Sequence, residues 1–335
     1  MTMKTQTMQR LLLGALAISI SACGGSKGDL SGTGDKPEQP RSKTGPITGF
    51  GSIIVAGEVF ATGSSQFQIA GQAGSEEQLQ VGMFVQLDVD EAGSLTRVSY
   101  DETLLGPISA IDRAADQLTV LQQTVLIEGQ TNFENTQWDL LQVGAPVEIS
   151  ASIDSQGRYR ASFIRPRTAS TQKIQGRISQ LQVDQQRFMI QALVVDYAQA
   201  SNLALAGDTL RNDQLVEVEG AQSAQGPLIA ERIEALSFAA AESVIESIGL
   251  ITSLADNRIE LNQQSFLRTA STRYLNLQAS DLRLDLPVQV IGESDSENNL
   301  VASEIRLLPQ ADSEIEGIVE SVDADQAVIT LLNRG

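Results

Sequence analysis

Histidine is missing from this 335-residue sequence, and cysteine occurs once. Without histidine, Ser-His-Asp and Cys-His catalytic arrangements cannot form, and imidazole-ligated metal sites are excluded. One cysteine permits neither an internal disulfide nor a thiolate cluster. Lysine is also scarce: Lys173 is the only one after Lys43, and it lies in no recognisable motif. The sequence therefore predicts no cofactor and no metal, while catalysis by paired carboxylates stays open because acids are abundant.

Aromatic residues and positive charge are both in short supply. Aromatics make up 4% of the chain, so its cores must be filled by aliphatic side chains. The formal net charge is −19, and it becomes −21 if Lys4 and Arg10 are removed with a cleaved leader. A negative field of this size repels nucleic acid, and no nucleic-acid partner is predicted.

The first 23 residues have the pattern of an export signal. Lys4 and Arg10 provide a positive start, and the apolar run 11–20 is too short to span a bilayer. The segment ends in Ile20-Ser21-Ala22-Cys23, which resembles the bacterial lipobox: one aliphatic residue, two small residues, and the cysteine that becomes lipidated. We therefore expect lipidation of Cys23.

The lipobox resemblance implies where the protein resides. Lipoproteins of this kind carry three acyl chains, and several chains anchor stably where one binds only marginally. Gly24 stands where an aspartate would imply retention in the inner membrane. We expect lipid anchoring to the outer membrane, on its periplasmic face or at the cell surface. Residues 24–44 are rich in Gly, Ser, Pro and charge, which is typical of a flexible tether.

Four blocks of the chain share one order of features. Each opens on a glycine and an apolar strand, at Gly45, Gly106, Gly176 and Gly249, with spacings of 61, 70 and 73 residues; a further 68 residues lead to Gly317. Each closes with an alternating strand such as Val147-Glu-Ile-Ser-Ala151, a polar turn and a last strand. Period-2 alternation between Gly, Asn and Asp turns indicates half-buried antiparallel strands. A leucine-bearing stretch such as 138–144 suits one helical turn that closes a barrel end.

The predicted fold class is all-β, with tandem small antiparallel β-barrel (OB-like) repeats after the signal peptide and tether. We expect these repeats to form a string of small barrels. The predicted segments are a signal peptide (1–22), lipidated cysteine and linker (23–44), repeats 1 to 4 (45–104, 105–173, 174–246, 247–312) and a partial repeat of two strands (313–335).

The string Gly49-Phe-Gly-Ser-Ile-Ile-Val-Ala-Gly57, with Gly82-Met-Phe-Val85 and Gly106-Pro-Ile108, resembles the family called domain of unknown function 5666. The resemblance covers residues 45–308, with a partial copy after Glu314. It implies an exported bacterial protein with tandem blocks, often behind a lipobox. It implies no activity and no site residues.

One basic cluster departs from the acidic background. No acid occurs from Ser155 to Val183, and six basic residues fall within this region: Arg158, Arg160, Arg165, Arg167, Lys173 and Arg177. One interpretation is a contact with an anionic partner at the joint between repeats. The alternative is pairing with acids of neighbouring repeats.

Three other features have ordinary explanations. Asp88, Asp90 and Glu91 suggest calcium, but Ser99 stands where an EF-hand loop needs glutamate, so we expect an acidic hairpin tip. Trp138 is expected in the core. The 49–51 turn has no following helix or lysine, and is expected to be a strand kink.

Together these features favour a membrane-anchored envelope or surface lipoprotein that acts as a non-enzymatic binding or scaffold module. Its partners would be the membrane, through the N-terminal lipid, and a protein or envelope polymer. The alternative is a carboxylate- or metal-dependent hydrolase that acts on envelope polymers, which needs two acids in one concave pocket.

Overall fold

The structure is a computed structural model. It describes residues 40–308, except 169–170, 206–208, 223–225, 237–243, 256 and 296–298, together with the backbone of 319–323 and 328–331. Strands dominate this part of the chain, and its helices are single 3₁₀ turns. The prediction of an all-β protein is therefore confirmed.

Repeat 2 shows the pairing most completely. Its strands are β8 (Leu104–Asp112), β9 (Gln117–Val120), β10 (Gln123–Leu126), β11 (Asn132–Phe133), β12 (Pro146–Ile153) and β13 (Tyr159–Pro166). The order of pairing is β8-β9-β10-β13-β12, and β12 returns to β8. Only the β10–β13 step is parallel within this circuit, and β11 adds a short parallel pairing to β13. The five strands therefore form a closed circuit.

Repeats 3 and 4 follow the same order, although the opening strand of repeat 4 is split into two strands. Repeat 3 contains β14 (Gln172–Gln182), β15 (Arg187–Ile190), β16 (Leu193–Asp196), β17 (Asn202–Ala204), β18 (Leu215–Gln222) and β19 (Leu228–Ala235). Repeat 4 contains β20 (Val244–Leu250), β21 (Ser253–Ala255), β22 (Arg258–Leu261), β23 (Gln264–Leu267), β24 (Arg273–Leu275), β25 (Pro287–Ser294) and β26 (Leu300–Leu307). In both, the third long strand pairs in parallel with the last.

Repeat 1 departs from this order at one point. Its strands are β1 (Arg41–Gly49), β2 (Ile53–Val55), β3 (Glu58–Phe60), β4 (Gln66–Ile69), β5 (Gln72–Ala73), β6 (Phe84–Val89) and β7 (Leu95–Tyr100). Here β3 pairs with β2, whereas β4 is the strand that runs parallel to β7. Its strand order otherwise matches that of the later repeats.

The opening glycine of each repeat lies where the first strand faces a bulky neighbour. A Cβ atom at Gly176 would overlap Ile190, and one at Gly249 would overlap the side-chain amide of Asn262. Glycine lets the opening strand bend there and pass from one partner strand to the next. In repeat 2 the change follows Gly106, since Leu104–Pro107 pair with β12 and Ile108–Asp112 pair with β9.

The polar turns before the last strands of repeats 1, 2 and 4 share the same hydrogen bonds from backbone amides to an aspartate. The carboxylate of Asp90 accepts hydrogen bonds from the amides of Ala92 and Ser94. Asp154 accepts from the amides two and four residues later, and Asp295 accepts from Asn299. Aspartate is favoured here because its short side chain bonds the backbone of its own turn.

The stretch that was expected to contain one helical turn forms a 3₁₀ helix at Trp138–Leu140. Trp138 is half-buried and packs against the core shared by repeats 2 and 3. The Arg113 guanidinium lies 4.3 Å from the centre of its ring. Leu141, after the turn, is buried in the same core.

The repeats are joined to one another by strand pairing, which the sequence did not predict. β1 pairs in parallel with β20, which joins repeats 1 and 4 in one 14-stranded sheet. β8 pairs antiparallel with β14, which joins repeats 2 and 3 in a 12-stranded sheet. The reason lies in the bend at the opening glycine, because it leaves one edge of the first half of each opening strand free. The opening strand of another repeat takes that edge.

At the C-terminus, β27 (Val319–Asp323) and β28 (Val328–Leu331) form an antiparallel hairpin, and among the described strands they pair only with each other.

Candidate functional site

A cavity of about 130 Å³ lies where the four repeats meet. Polar side chains line it from every repeat: Thr44, Gln86, Ser99 and Asp101, then Thr103 and Ser152, then Gln175, and finally Asn262 and Gln263. The apolar side chains on its wall include Phe84, Val85 and Leu236. Because no single repeat builds this cavity, it exists only in the assembled protein.

Several polar groups around the cavity are bonded within the protein. The Gln175 amide nitrogen donates to Glu217 over 3.0 Å, and that of Gln86 donates to Asp88 over 3.2 Å. The Asn262 amide nitrogen donates to the carbonyl of Ile248 and, over 3.1 Å, to Ser247 Oγ. Its Oδ1 atom is buried and has no hydrogen-bond partner. Each of these three amides therefore uses at least one N–H within the protein.

Beside the cavity, Lys173 is surrounded by acids. Its side chain is almost wholly buried, and Nζ lies 3.0 Å from Glu102, 3.3 Å from Glu217, 3.5 Å from Glu219 and 3.6 Å from Asp101. Glu102 and Asp101 belong to the link between β7 and β8, whereas Glu217 and Glu219 lie on β18. The ammonium thus joins the start of repeat 2 to repeat 3.

The surrounding charges separate the pKa values of these groups. Burial and the neighbouring Glu217 outweigh Lys173 and raise the pKa of Asp101 to about 7. Burial also acts on Glu102, but the Lys173 ammonium and hydrogen bonds bring its pKa below the ordinary value. Burial opposes the charge on Lys173, yet Glu217, Glu102 and Asp101 together raise its pKa well above the usual range.

A second buried lysine joins repeats 1 and 4. Lys43 is 1% exposed, and its Nζ lies 2.8 Å from Glu58 and 2.7 Å from Glu246. Glu246 lies on β20, the strand that pairs with β1. The two lysines described by the structure thus each bridge carboxylates from two repeats.

All six members of the predicted basic cluster form ion pairs with acids of this chain. Arg158 pairs with Asp154, Arg160 with Glu128 and Arg177 with Glu260 of repeat 4. Arg165 and Arg167 lie 2.9 and 3.2 Å from Glu148, which is fully buried. The alternative interpretation expected acids of neighbouring repeats. Lys173 and Arg177 have such partners. The acids paired with Arg158, Arg160 and Arg165 belong to repeat 2 itself. The contact with an anionic partner stays a prediction, because pairing within the chain does not test binding.

The other predicted sites are the lipidation site and the acidic turn at residues 88–91. Cys23, the expected lipidation site, lies outside the described residues. Asp88 accepts a hydrogen bond from Ser42, and Asp90 closes its hairpin turn. Within residues 40–308, as far as they are described, no group of three or more His, Cys, Asp or Glu side chains could hold a metal ion.

Sequence reasoning missed the cavity and its carboxylate, Asp101. Its walls come from four repeats and from positions that are not equivalent between them, so no motif brings them together. One signal was present in the two lysines, which precede the opening glycines Gly45 and Gly176 by two and three residues. A lysine in the first strand of a barrel must be paired when it is buried.

In the described part of the chain, no helix is long and apolar enough to cross a membrane. The model of a domain of unknown function, DUF5666, matches three stretches of the chain, residues 106–165, 174–234 and 248–306. These lie within predicted repeats 2, 3 and 4 and cover just over half of the sequence.

Curated proteins gave no match. Among solved structures, a chain described as drosophila Unr CSD456 is 13% identical, over 63% of this chain and 99% of that one, with a TM-score of 0.17. A similarity at that TM-score supports no conclusion about fold or function.

Proposed function

The chain belongs to the DUF5666 family, with three of its repeats in tandem, and we propose that it is a membrane-anchored envelope lipoprotein that acts as a non-enzymatic binding and scaffold module. One observation carries the scaffold part of this proposal: opening strands of different repeats pair with each other, β1 with β20 and β8 with β14. Strand pairing and buried ion pairs between repeats favour a rigid body with fixed spacing between its surfaces, which suits a scaffold.

We further infer that each repeat is a small OB-like barrel and that residues 45–104 are another copy. The circuit β8-β9-β10-β13-β12-β8 supports this, since it has five strands, one parallel step and a short helical turn between the third and fourth long strands. In repeat 1, the antiparallel pairs β1–β2, β1–β6 and β6–β7 occupy the same places.

The binding part of the proposal rests on the central cavity. Asp101 is the one carboxylate among its lining residues, and Glu102 beside it is 3% exposed. Hydrolysis by paired carboxylates needs two acids that both reach the substrate. This arrangement therefore favours binding over the hydrolase alternative.

The anchor is tested by Cys23→Ser in the producing bacterium, with Ser26→Ala in the tether as a matched control. We expect the Cys23→Ser protein to leave the membrane fraction or to accumulate as an unprocessed precursor, and the control to behave as wild type. Unchanged processing and detergent partitioning of Cys23→Ser would contradict the lipoprotein proposal.

The scaffold role is tested by photo-cross-linking in intact cells, with probes placed at exposed positions such as Val143 and Leu284. We expect defined cross-linked envelope components with the anchored protein and their loss with Cys23→Ser. The same products from both variants, or none above an unrelated anchored protein, would argue against it.

A further inference from the structure

Three amides on the cavity wall have orientations fixed by their partners. Gln86 and Gln175 donate to carboxylates, and Asn262 donates to a backbone carbonyl. Carboxylates and carbonyls only accept, so the bonded atom must be the amide nitrogen in each case. Each amide therefore turns its nitrogen toward that partner and its oxygen away from it, although Gln86 and Gln175 each keep a second N–H. One of these oxygens, Asn262 Oδ1, is buried without a hydrogen-bond partner, which is costly.

The charged group on the wall is also an acceptor when it is ionised. Asp101 faces Lys173, Glu102, Glu217 and, farther along β19, Glu234. Lys173 is shared among four carboxylates. Arg232 also pairs with Glu217 and Glu219, and Arg167 pairs with Glu102. At Asp101 itself the nearby glutamates outweigh the Lys173 ammonium, so the local field is negative. A positive charge beside Asp101 would therefore be stabilised, whereas an anion would be repelled.

From this acceptor-rich wall we propose that the central cavity binds a small organic cation with a primary ammonium group, held by the carboxylate of Asp101 and by amide oxygens of Gln86 and Gln175. The inference deepens the proposed binding function and depends on it for its biological meaning. Ammonium offers three donors and a charge, which complements a wall that presents one carboxylate and several amide oxygens.

The size and composition of the cavity restrict which cations could bind. About 130 Å³ is the space of about four water molecules, which admits an alkylammonium of a few heavy atoms. Divalent metals prefer several carboxylates, and the described residues contain no group of three acids that could hold one. The single carboxylate with neutral oxygens suits a monovalent, hydrogen-bonding cation better.

The test uses the full-length purified protein in detergent, with ethylammonium chloride as the probe and ethanol as its neutral isostere. Binding is followed by the shift in Tm and by ligand-observed NMR at constant ionic strength. We expect saturable binding of ethylammonium and none of ethanol, and about tenfold weaker binding in Asp101→Asn because a charge-assisted hydrogen bond is lost. Asp139→Asn, an exposed change of the same charge, is expected to bind as wild type.

The pH dependence gives a second readout. Because the cation stabilises ionised Asp101, we expect ethylammonium to bind more tightly at pH 8 than at pH 5.5 in the wild type, and equally at both pH values in Asp101→Asn.

The competing outcomes are distinct. A Tm shift no larger than that given by sodium chloride, or an equal effect in Asp101→Asn, would overturn the proposal. A specific shift with calcium or potassium chloride and none with ethylammonium would make the cavity a metal site, which also overturns it. None of these outcomes changes the membrane fractionation of the Cys23→Ser variant. A cavity that binds no ammonium can therefore be told apart from a wrong lipoprotein proposal.

Discussion

Lys173 Nζ lies 3.0 Å from Oε2 of Glu102, although 71 residues separate the two along the chain. Both side chains are almost wholly buried, and neither charge is exposed enough for water to replace its partner. Their pairing is therefore a condition for closing the interface between repeats 2 and 3, because a buried charge without a partner is strongly destabilising.

Lys173→Met is expected to destabilise the protein by about 3–5 kcal/mol, since the buried Glu102 and Glu217 lose a cation that lies 3.0 and 3.3 Å away. Arg187→Met is the control: Arg187 is 48% exposed in its pair with Asp196, and exposed pairs contribute only about 0–1 kcal/mol. Urea unfolding of both variants measures the difference. Equal losses would mean that the buried pair contributes no more than the surface pair.

The raised pKa of Asp101 makes the stability of the fold depend on pH. Its pKa of about 7 in the folded protein exceeds the unfolded value near ~3.9, so the folded state retains a proton that the unfolded state has lost. Its contribution to stability therefore falls as pH rises from about 4 to about 7 and is constant above that range. Glu102, whose pKa is lowered in the folded protein, has the opposite effect. Its contribution to stability is lost only as the pH falls below its unfolded pKa of about 4.3.

We accordingly expect Asp101→Asn to gain stability relative to wild type as the pH is raised from 5 to 8. The free energies of unfolding of both proteins, measured in urea at the two pH values, give the comparison. A difference between them that does not change with pH would contradict the assignment.

Gly82 and Gly144 provide a matched pair at equivalent turns. Their φ angles are +91° and +89°, so alanine meets the same backbone strain at both, about 1–2 kcal/mol. At Gly82 a Cβ atom would also overlap the backbone oxygen of Ser162 in repeat 2, whereas at Gly144 nothing lies within 4 Å. Gly82→Ala is therefore expected to cost about 1–3 kcal/mol more than Gly144→Ala. Equal unfolding midpoints would show that the backbone of Ser162 can move away from residue 82 at little cost in free energy.

Arg165→Glu with Arg167→Glu separates the two interpretations of the basic cluster. Both arginines pair with buried Glu148, so the double variant should lose about 3–5 kcal/mol or more and unfold at a clearly lower temperature. Arg160→Glu with Arg187→Glu makes the same charge change in pairs whose carboxylates are partly exposed, and should lose less. A nearly unchanged midpoint in the first variant, with loss of an anionic partner, would favour the binding interpretation.

The local pattern of the sequence predicted much of the fold. Alternation identified the half-buried strands, and opening glycines such as Gly176 marked the bend in each first strand. Aspartates such as Asp154 marked the hairpin turns. These features are local, since each depends on a few neighbouring residues and on backbone sterics.

The sequence pattern did not predict the contacts between repeats. Alternation shows which face of a strand is buried, but not which other strand lies along its edge. The pairing of β1 with β20 therefore has no signature in the sequence. Asp101 looked like any surface acid because its environment comes from β14, β18 and β19. Only the placement of Lys43 and Lys173 in apolar strands hinted at buried ion pairs.

The parallel pairing of β1 with β20 has a consequence for biosynthesis. Arg41 and Val244 are neighbours in this ladder, so about two hundred residues must be made before the contact can form. Contacts with such high contact order form late, and the edge that awaits its partner can pair with other chains meanwhile. The first repeat to be translated would thus be among the last to be completed. Chains truncated before residue 244 should accordingly recruit chaperones or aggregate through the free side of β1.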